Sequence, residues 1–195
     1  STISGNSSGD DGGGIYFWGL DANDVMTLSH CTVSGNSINS GNGNGLFYQS
    51  GGVINIKNTI IASNGNDDVY GSGSTVNDNG YNIIGVQNGS DFNASTDVLW
   101  NGSQWERNGA ALVNQNLNLS GTLADNGGPT KTLAITTGSF AIGAGDPGTQ
   151  FDQRNYYRLS PPTIGAYDYG ATESLPIPTL GEWGAVILGV LMLVM

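Results

Sequence analysis

Apolar and polar residues alternate in short bursts through the first part of the chain. In Val25-Met-Thr-Leu-Ser, Met26 and Leu28 share one parity, and in Val53-Ile-Asn-Ile-Lys so do Ile54 and Ile56. Each pair therefore faces one side of an extended strand. Val33 and Ile61 have the opposite parity, so if they face the same interior the chain must turn between Leu28 and Val33, and again between Ile56 and Ile61. The residues at that corner are His30 and Asn58, in equivalent slots 28 apart. Asparagine at an inward corner can hydrogen-bond its own turn and the equivalent residue one rung away. His30 is read most simply as a corner residue standing where asparagine stands in the next unit.

The pattern recurs. Ser1 to Asn6 reads STISGN, Cys31 to Asn36 reads CTVSGN and Thr59 to Asn64 reads TIIASN, with final asparagines 30 and 28 positions apart. A second element, GGGIYF at Gly12 to Phe17, returns as GNGLFY at Gly43 to Tyr48. Each unit thus holds about three short runs separated by Gly, Asn and Ser turns, as in a coil that returns to its starting edge once per repeat. The expected fold is all-β, a single-stranded parallel β-helix solenoid, with Ile3, Ile15, Val33, Leu46, Ile54, Ile56 and Ile61 in one core.

The expected organisation has β-helix rungs over 1–85, read as part of a longer solenoid. A loop-rich excursion or cap over 86–120 follows, then a C-terminal β-helix region over 121–170, a linker over 171–176 and a hydrophobic tail over 177–195. Trp100 and Trp105 lie in the excursion. They are read as a cap on the open coil end, with a sugar-stacking platform as the alternative.

Composition narrows the function classes. Sixteen Asp and Glu stand against five Lys and Arg, a net charge of −11. Such a surface repels polyphosphate, and the five cations are too scattered to form a basic stripe, which excludes nucleic acid. The single cysteine, Cys31, lies in an apolar run and is expected to be a buried thiol.

Candidate chemistry is sparse. His30, the only histidine, has no acid or nucleophile arrangement beside it that catalysis would need. Asp146, Asp152 and Arg154 fall within nine residues and are read as an Asp–Arg pair pinning a turn, with a pectinolytic constellation as the alternative. Asp10-Asp11 and Asp67-Asp68 offer hard oxygen ligands for Ca²⁺ but lack the spacing of a dedicated loop. No catalytic, cofactor or metal residue is assigned.

The tail carries the sharpest motif. Pro176-Ile-Pro-Thr-Leu-Gly-Glu-Trp-Gly leads into Ala185 to Met195, which holds no charged or polar side chain. As a helix, Trp183 to Met195 would reach about 20 Å, short of a hydrocarbon core of roughly 30 Å. The string IPTLGEWG resembles the IPTL-CTERM sorting signal of Gram-negative bacteria. That resemblance implies a sorting signal at Ile177, Pro178, Thr179, Leu180, Trp183 and Gly184, a short hydrophobic C-terminal helix, and an exosortase-type sorting enzyme as partner.

Upstream, Leu123 to Tyr169 contains GGPT, DQRN and IGAYD segments in that order. They resemble the C-terminal part of the choice-of-anchor Q domain of bacterial surface proteins. The departures are Phe140 where proline is usual, Gly143 for aspartate, Asn155 for glycine and Asp168 for glutamate. The family implies a right-handed parallel β-helix and no defined enzymatic activity. The expectation is a secreted, cell-surface-sorted bacterial protein that touches membrane only through its tail. Its role is structural, adhesive or in the matrix, with surface polysaccharide as a candidate partner. The competing reading is the C-terminal part of a carbohydrate-active lyase or hydrolase whose catalytic rungs lie upstream of Ser1.

Overall fold

The computed structural model describes residues 1–89 and 92–173. Among them the regular structure is entirely β. The first unit supplies β1 (Thr2–Ser4), β2 (Ser7–Ser8), β3 (Ile15–Gly19) and β4 (Val25–Ser29). The second supplies β5 (Thr32–Ser34), β6 (Ser37–Ile38), β7 (Leu46–Ser50) and β8 (Val53–Lys57). The third supplies β9 (Ile60–Ile61), β10 (Val69–Ser72) and β11 (Thr75–Asp78), and the fourth β12 (Ile83–Ile84) and β13 (Gln87–Asn88). After them come β14 (Val98–Trp100), β15 (Trp105–Arg107) and β16 (Ala110–Ala111), and finally β17 (Tyr156–Tyr157) and β18 (Thr172–Glu173).

Equivalent strands pair in parallel. One ladder runs β1-β5-β9-β12-β14, a second β3-β7-β10-β13 and a third β4-β8-β11. In the first, Thr2 pairs with Thr32, Thr32 with Ile60, Ile60 with Ile83 and Ile83 with Val98, so successive units take 30, 28, 23 and 15 residues. The repeat therefore shortens as it proceeds, and β2 pairs with β6 alone because the third unit keeps the asparagine corner but forms no short strand after it.

The three ladders enclose one core. Val33, Ile61 and Ile84 from the first meet Leu46, Tyr48 and Val69 from the second and Leu28, Ile54 and Ile56 from the third. Ile3 and Ile15 pack against this core from the first unit, partly buried, so all seven expected core positions share it. Burying a side chain such as Ile56 stabilises the fold by about 1.5–3 kcal/mol. Cys31 is buried beside them.

The corners follow from residues that accept left-handed backbone. Gly5 and Gly35 have φ of 72° and 70°, and Ser63 takes the equivalent place at 61°. His30 and Asn58 adopt φ of 49° and 51°, which places them at matching corners as the spacing predicts.

A second core lies on the outer face of the first ladder. Ile60, Ile83 and Val98 point away from the interior and are covered by Leu117, Ile135, Phe140, Ala141 and Ile164. Residues after Leu112 add no parallel strand to the three ladders; among the described residues they make isolated bridges and the short antiparallel β17–β18 pair. They lie along the side of the coil. The segment after Gly85 is more regular than expected, since β14 extends the first ladder in parallel before β15 and β16 reverse direction and close its edge. Antiparallel closure of this kind occupies hydrogen-bonding groups that a bare edge would expose.

Candidate functional site

Ile177, Pro178, Thr179, Leu180, Trp183 and Gly184, with the hydrophobic tail that contains them, lie outside the described residues. The remaining candidates sit on the corners of the coil, in its side segment and at its closed edge.

His30 is buried at 4% exposure. Its Nε2 lies 3.0 Å from Asn58 Nδ2 and its Nδ1 3.1 Å from Ser29 Oγ. Burial first, then the charges of Arg158, the N-terminus and Lys57, push its pKa from 6.5 down to about 4. A neutral ring held between two corner partners is a weak base near neutrality. Asn58 completes the corner by donating Nδ2 to Asp146 O at 2.7 Å and accepting Asp146 N–H at 2.9 Å.

The repeat asparagines form a longer ladder at another corner. Asn6 donates both its backbone N–H and its Nδ2 to Asn36 Oδ1, at 3.1 and 3.0 Å. Asn36 repeats this on Asn64 Oδ1 at 3.1 and 2.9 Å. Asn64 repeats it on Asp68 Oδ1 at 2.7 and 3.0 Å. Asp68 Oδ2 then accepts Val86 N–H at 2.9 Å, in space that a side chain at Gly85 would occupy: a Cβ there would sit 1.9 Å from that oxygen. Burial raises the Asp68 pKa against the opposing Asn64 and Val86 hydrogen bonds. The spacing of Asn6, Asn36 and Asn64 marks the repeat in the sequence, but spacing alone does not show that these asparagines are themselves the ladder.

A parallel ladder runs beside the His30 corner. Cys31 N–H donates to Thr59 Oγ1 at 3.3 Å, Thr59 N–H to Asn82 Oδ1 at 3.0 Å and Asn82 N–H to Asp97 Oδ1 at 2.8 Å. Asp97 is 1% exposed and faces Asp78, whose carboxylate accepts the N–H groups of Gly80, Asn93 and Ala94 and the Asn82 amide. Asp97 Oδ2 receives no hydrogen bond, as suits an oxygen carrying its own proton toward Asp78. Burial, then that bond to Asp78, lifts the Asp97 pKa to about 8, while Asp78 is lowered by the donors around it despite its own burial. Neither acid stands out in the sequence, because they are nineteen positions apart, Asp78 ending β11 and Asp97 lying just before β14.

The acids near the C-terminal turn separate. Asp146 Oδ2 meets Lys57 Nζ at 2.6 Å. Asp152 instead takes Arg154 Nε and Nη2 at 2.8 and 2.7 Å, both residues being buried. Arg154 also donates to Asp168 O at 2.8 Å and lies over the rings of Tyr167 and Tyr156. Asp168 accepts the N–H groups of Leu159 and Thr163 at 2.7 and 2.6 Å. The DQRN and IGAYD segments thus join in one buried, charge-assisted knot, in which Arg154 Nε and Nη2 share a single Asp152 oxygen, and this knot holds the last turns. Of the Ca²⁺ candidates, Asp11 accepts Asn42 N–H and Asp67 accepts Asn88 Nδ2, while Asp68 belongs to the asparagine ladder. Among the described residues no group of three or more His, Cys, Asp or Glu converges as metal ligands.

Trp100 and Trp105 pair across the antiparallel β14–β15 turn, with ring centroids 5.4 Å apart and planes at 65°. Trp105 also touches Phe140 at 5.4 Å, which ties the closed edge to the side segment. The pair therefore lies on the outer face of β14, on the same side as Val98, with Trp105 packed against the second core. It is also flanked by a cavity of about 410 Å³ bordered by Gln104, Leu112, Gln115 and Asn116, and on another side by one of about 240 Å³ bordered by Asp68 and Val86. Comparison of the chain with protein-family models, with curated proteins and with solved structures finds no match.

Proposed function

We propose that the chain is a right-handed parallel β-helix of a bacterial surface protein, with a structural or adhesive role rather than a catalytic one. The observation that carries the fold is the cyclic return of equivalent strands to three parallel ladders around one core. The resemblance of Leu123–Tyr169 to the choice-of-anchor Q domain supplies the handedness and the surface setting. It is supported by the junction of its DQRN and IGAYD segments in one buried knot.

The polar residues that a polysaccharide-cleaving site would need are engaged otherwise. Asp152 and Arg154 are buried on each other, Asp146 is held by Lys57 and Asn58, and His30 is a corner residue with a lowered pKa. A general acid or base must reach substrate with its proton available, and these groups are committed to the fold. The IPTL-like tail is the proposed address, read by an exosortase-type enzyme at the inner membrane of a Gram-negative cell.

The experiment is processing in a host with a cognate sorting enzyme. A protein bearing this domain, the IPTL-like segment and a hydrophobic helix long enough to span the bilayer should be cleaved near Ile177–Leu180 and reach the surface or medium. Replacing Pro178, Thr179 and Trp183 should leave uncleaved precursor in the membrane. Normal export of that variant would defeat the sorting reading.

A further inference from the structure

The cleft beside Trp100 and Trp105 has the composition of a sugar site, and we propose that it binds a neutral glycan chain of equatorially substituted pyranoses, such as a β-1,4-glucan. The proposal deepens the adhesive reading above, although its chemistry rests on the cleft alone.

Three features of the cleft converge. Its apolar wall is two indoles and Leu112, and an edge-to-face pair leaves both faces of one indole uncovered by the other. Pyranoses with equatorial hydroxyls present an axial C–H face that stacks on such a surface. Its polar wall is a run of amides, Asn114, Gln115 and Asn116, whose side chains make no hydrogen bond to other described residues and are exposed. They can donate to and accept from ring hydroxyls without breaking an existing bond.

The charge decides the class of glycan. No Lys or Arg lines this cleft, and Glu106 lies beside it, accepting hydrogen bonds from Asn101 and Gln104. With a net charge of −11 over the chain, a uronate or sulfated chain would be repelled and a neutral one would not.

The walls are also fixed in place. Trp100 and Trp105 are paired positions on β14 and β15, and the amide run is tied down where Phe140 N–H donates to Asn116 O at 3.1 Å. A pre-formed cleft orders few groups on binding, which favours affinity.

The test uses the full chain and isothermal titration calorimetry with cellohexaose, with chitohexaose as a second neutral probe and hexagalacturonate as the acidic one. Cellohexaose should bind, and hexagalacturonate at least about tenfold more weakly. Trp100→Ala should abolish binding, but it also touches the closed edge, so the exposed Gln115→Ala and Asn116→Ala carry the decision. Each should weaken cellohexaose by roughly three- to tenfold with an unchanged melting curve. Trp18→Phe, on a different strand ladder, should leave affinity unaltered. The proposal is overturned if neither neutral hexaose binds, if the Gln115→Ala/Asn116→Ala double variant binds like the native chain, or if hexagalacturonate binds as tightly as cellohexaose. Such a result would leave the surface-sorting experiment above unaffected.

Discussion

Stability should fall as pH rises from 6.5 to 8, in a window where an ordinary acidic protein gains or loses little. Two buried groups set this. Asp97 keeps its proton in the folded state up to about pH 8 but loses it near 3.8 when unfolded, so between those values the folded state holds the extra proton and stability declines with rising pH. His30 does the reverse: unfolded it is protonated up to 6.5, folded only below about 4, so stability rises with pH across that interval. One proton corresponds to about 1.36 kcal/mol per pH unit, so the two slopes cancel from pH 4 to 6.5. Above 6.5 only Asp97 acts, and roughly 1.5 units of pH remove about 2 kcal/mol. The perturbation is Asp97→Asn, whose Oδ1 can still accept Asn82 N–H and whose amide can donate to Asp78 in place of the acid proton. Urea unfolding followed by circular dichroism at pH 6.5, 7.2 and 8.0 measures both proteins. The native chain should lose about 2 kcal/mol over that range, about 4–8 °C in melting temperature, and the variant should lose little. A native curve that is flat or rises, or a variant that falls in parallel with it, would refute the shared-proton reading of Asp78 and Asp97.

Other perturbations probe the coil itself. Ile56→Ala, at 1% exposure in the core, should cost about 2–5 kcal/mol in urea unfolding, whereas a loss below about 0.5 kcal/mol would remove it from that core. Asn36→Ala strips the acceptor of both Asn6 donors and should cost roughly 1–3 kcal/mol, against almost none for the exposed Asn39→Ala. Gly85→Ala drives a Cβ into Asp68 Oδ2 and should lower the melting temperature clearly; a native-like melt would mean the ladder terminus shifts freely.

The inner face of the coil was legible because strand period 2 and a repeat near thirty residues fix which side chains meet. Val33, Leu46, Ile54 and Ile61 follow from parity and spacing alone. The outer core was signalled too, though less plainly. Where the first two units have Thr2-Ile3 and Thr32-Val33, the later ones have Ile60-Ile61 and Ile83-Ile84, and doubled apolar residues in a strand require cover on both faces. What covers them, the side segment through Leu117, Phe140 and Ile164, has no period to read, because its backbone runs through turns and single bridges. The same limit hid the Asp78–Asp97 pair and the cleft amides. Their meeting depends on units that shorten from 30 residues to 15, and a repeat that drifts gives no register to extrapolate.

We propose a surface module that holds polysaccharide without cleaving it. The most direct measurement incubates the full chain with cellulose and with polygalacturonate, scoring both retention of protein on the insoluble glycan and release of reducing ends or unsaturated products. Retention on cellulose with no product from either polymer is the predicted result. Product that disappears in Asp152→Ala or Arg154→Ala protein still showing native circular dichroism would contradict the account and place catalysis in this chain.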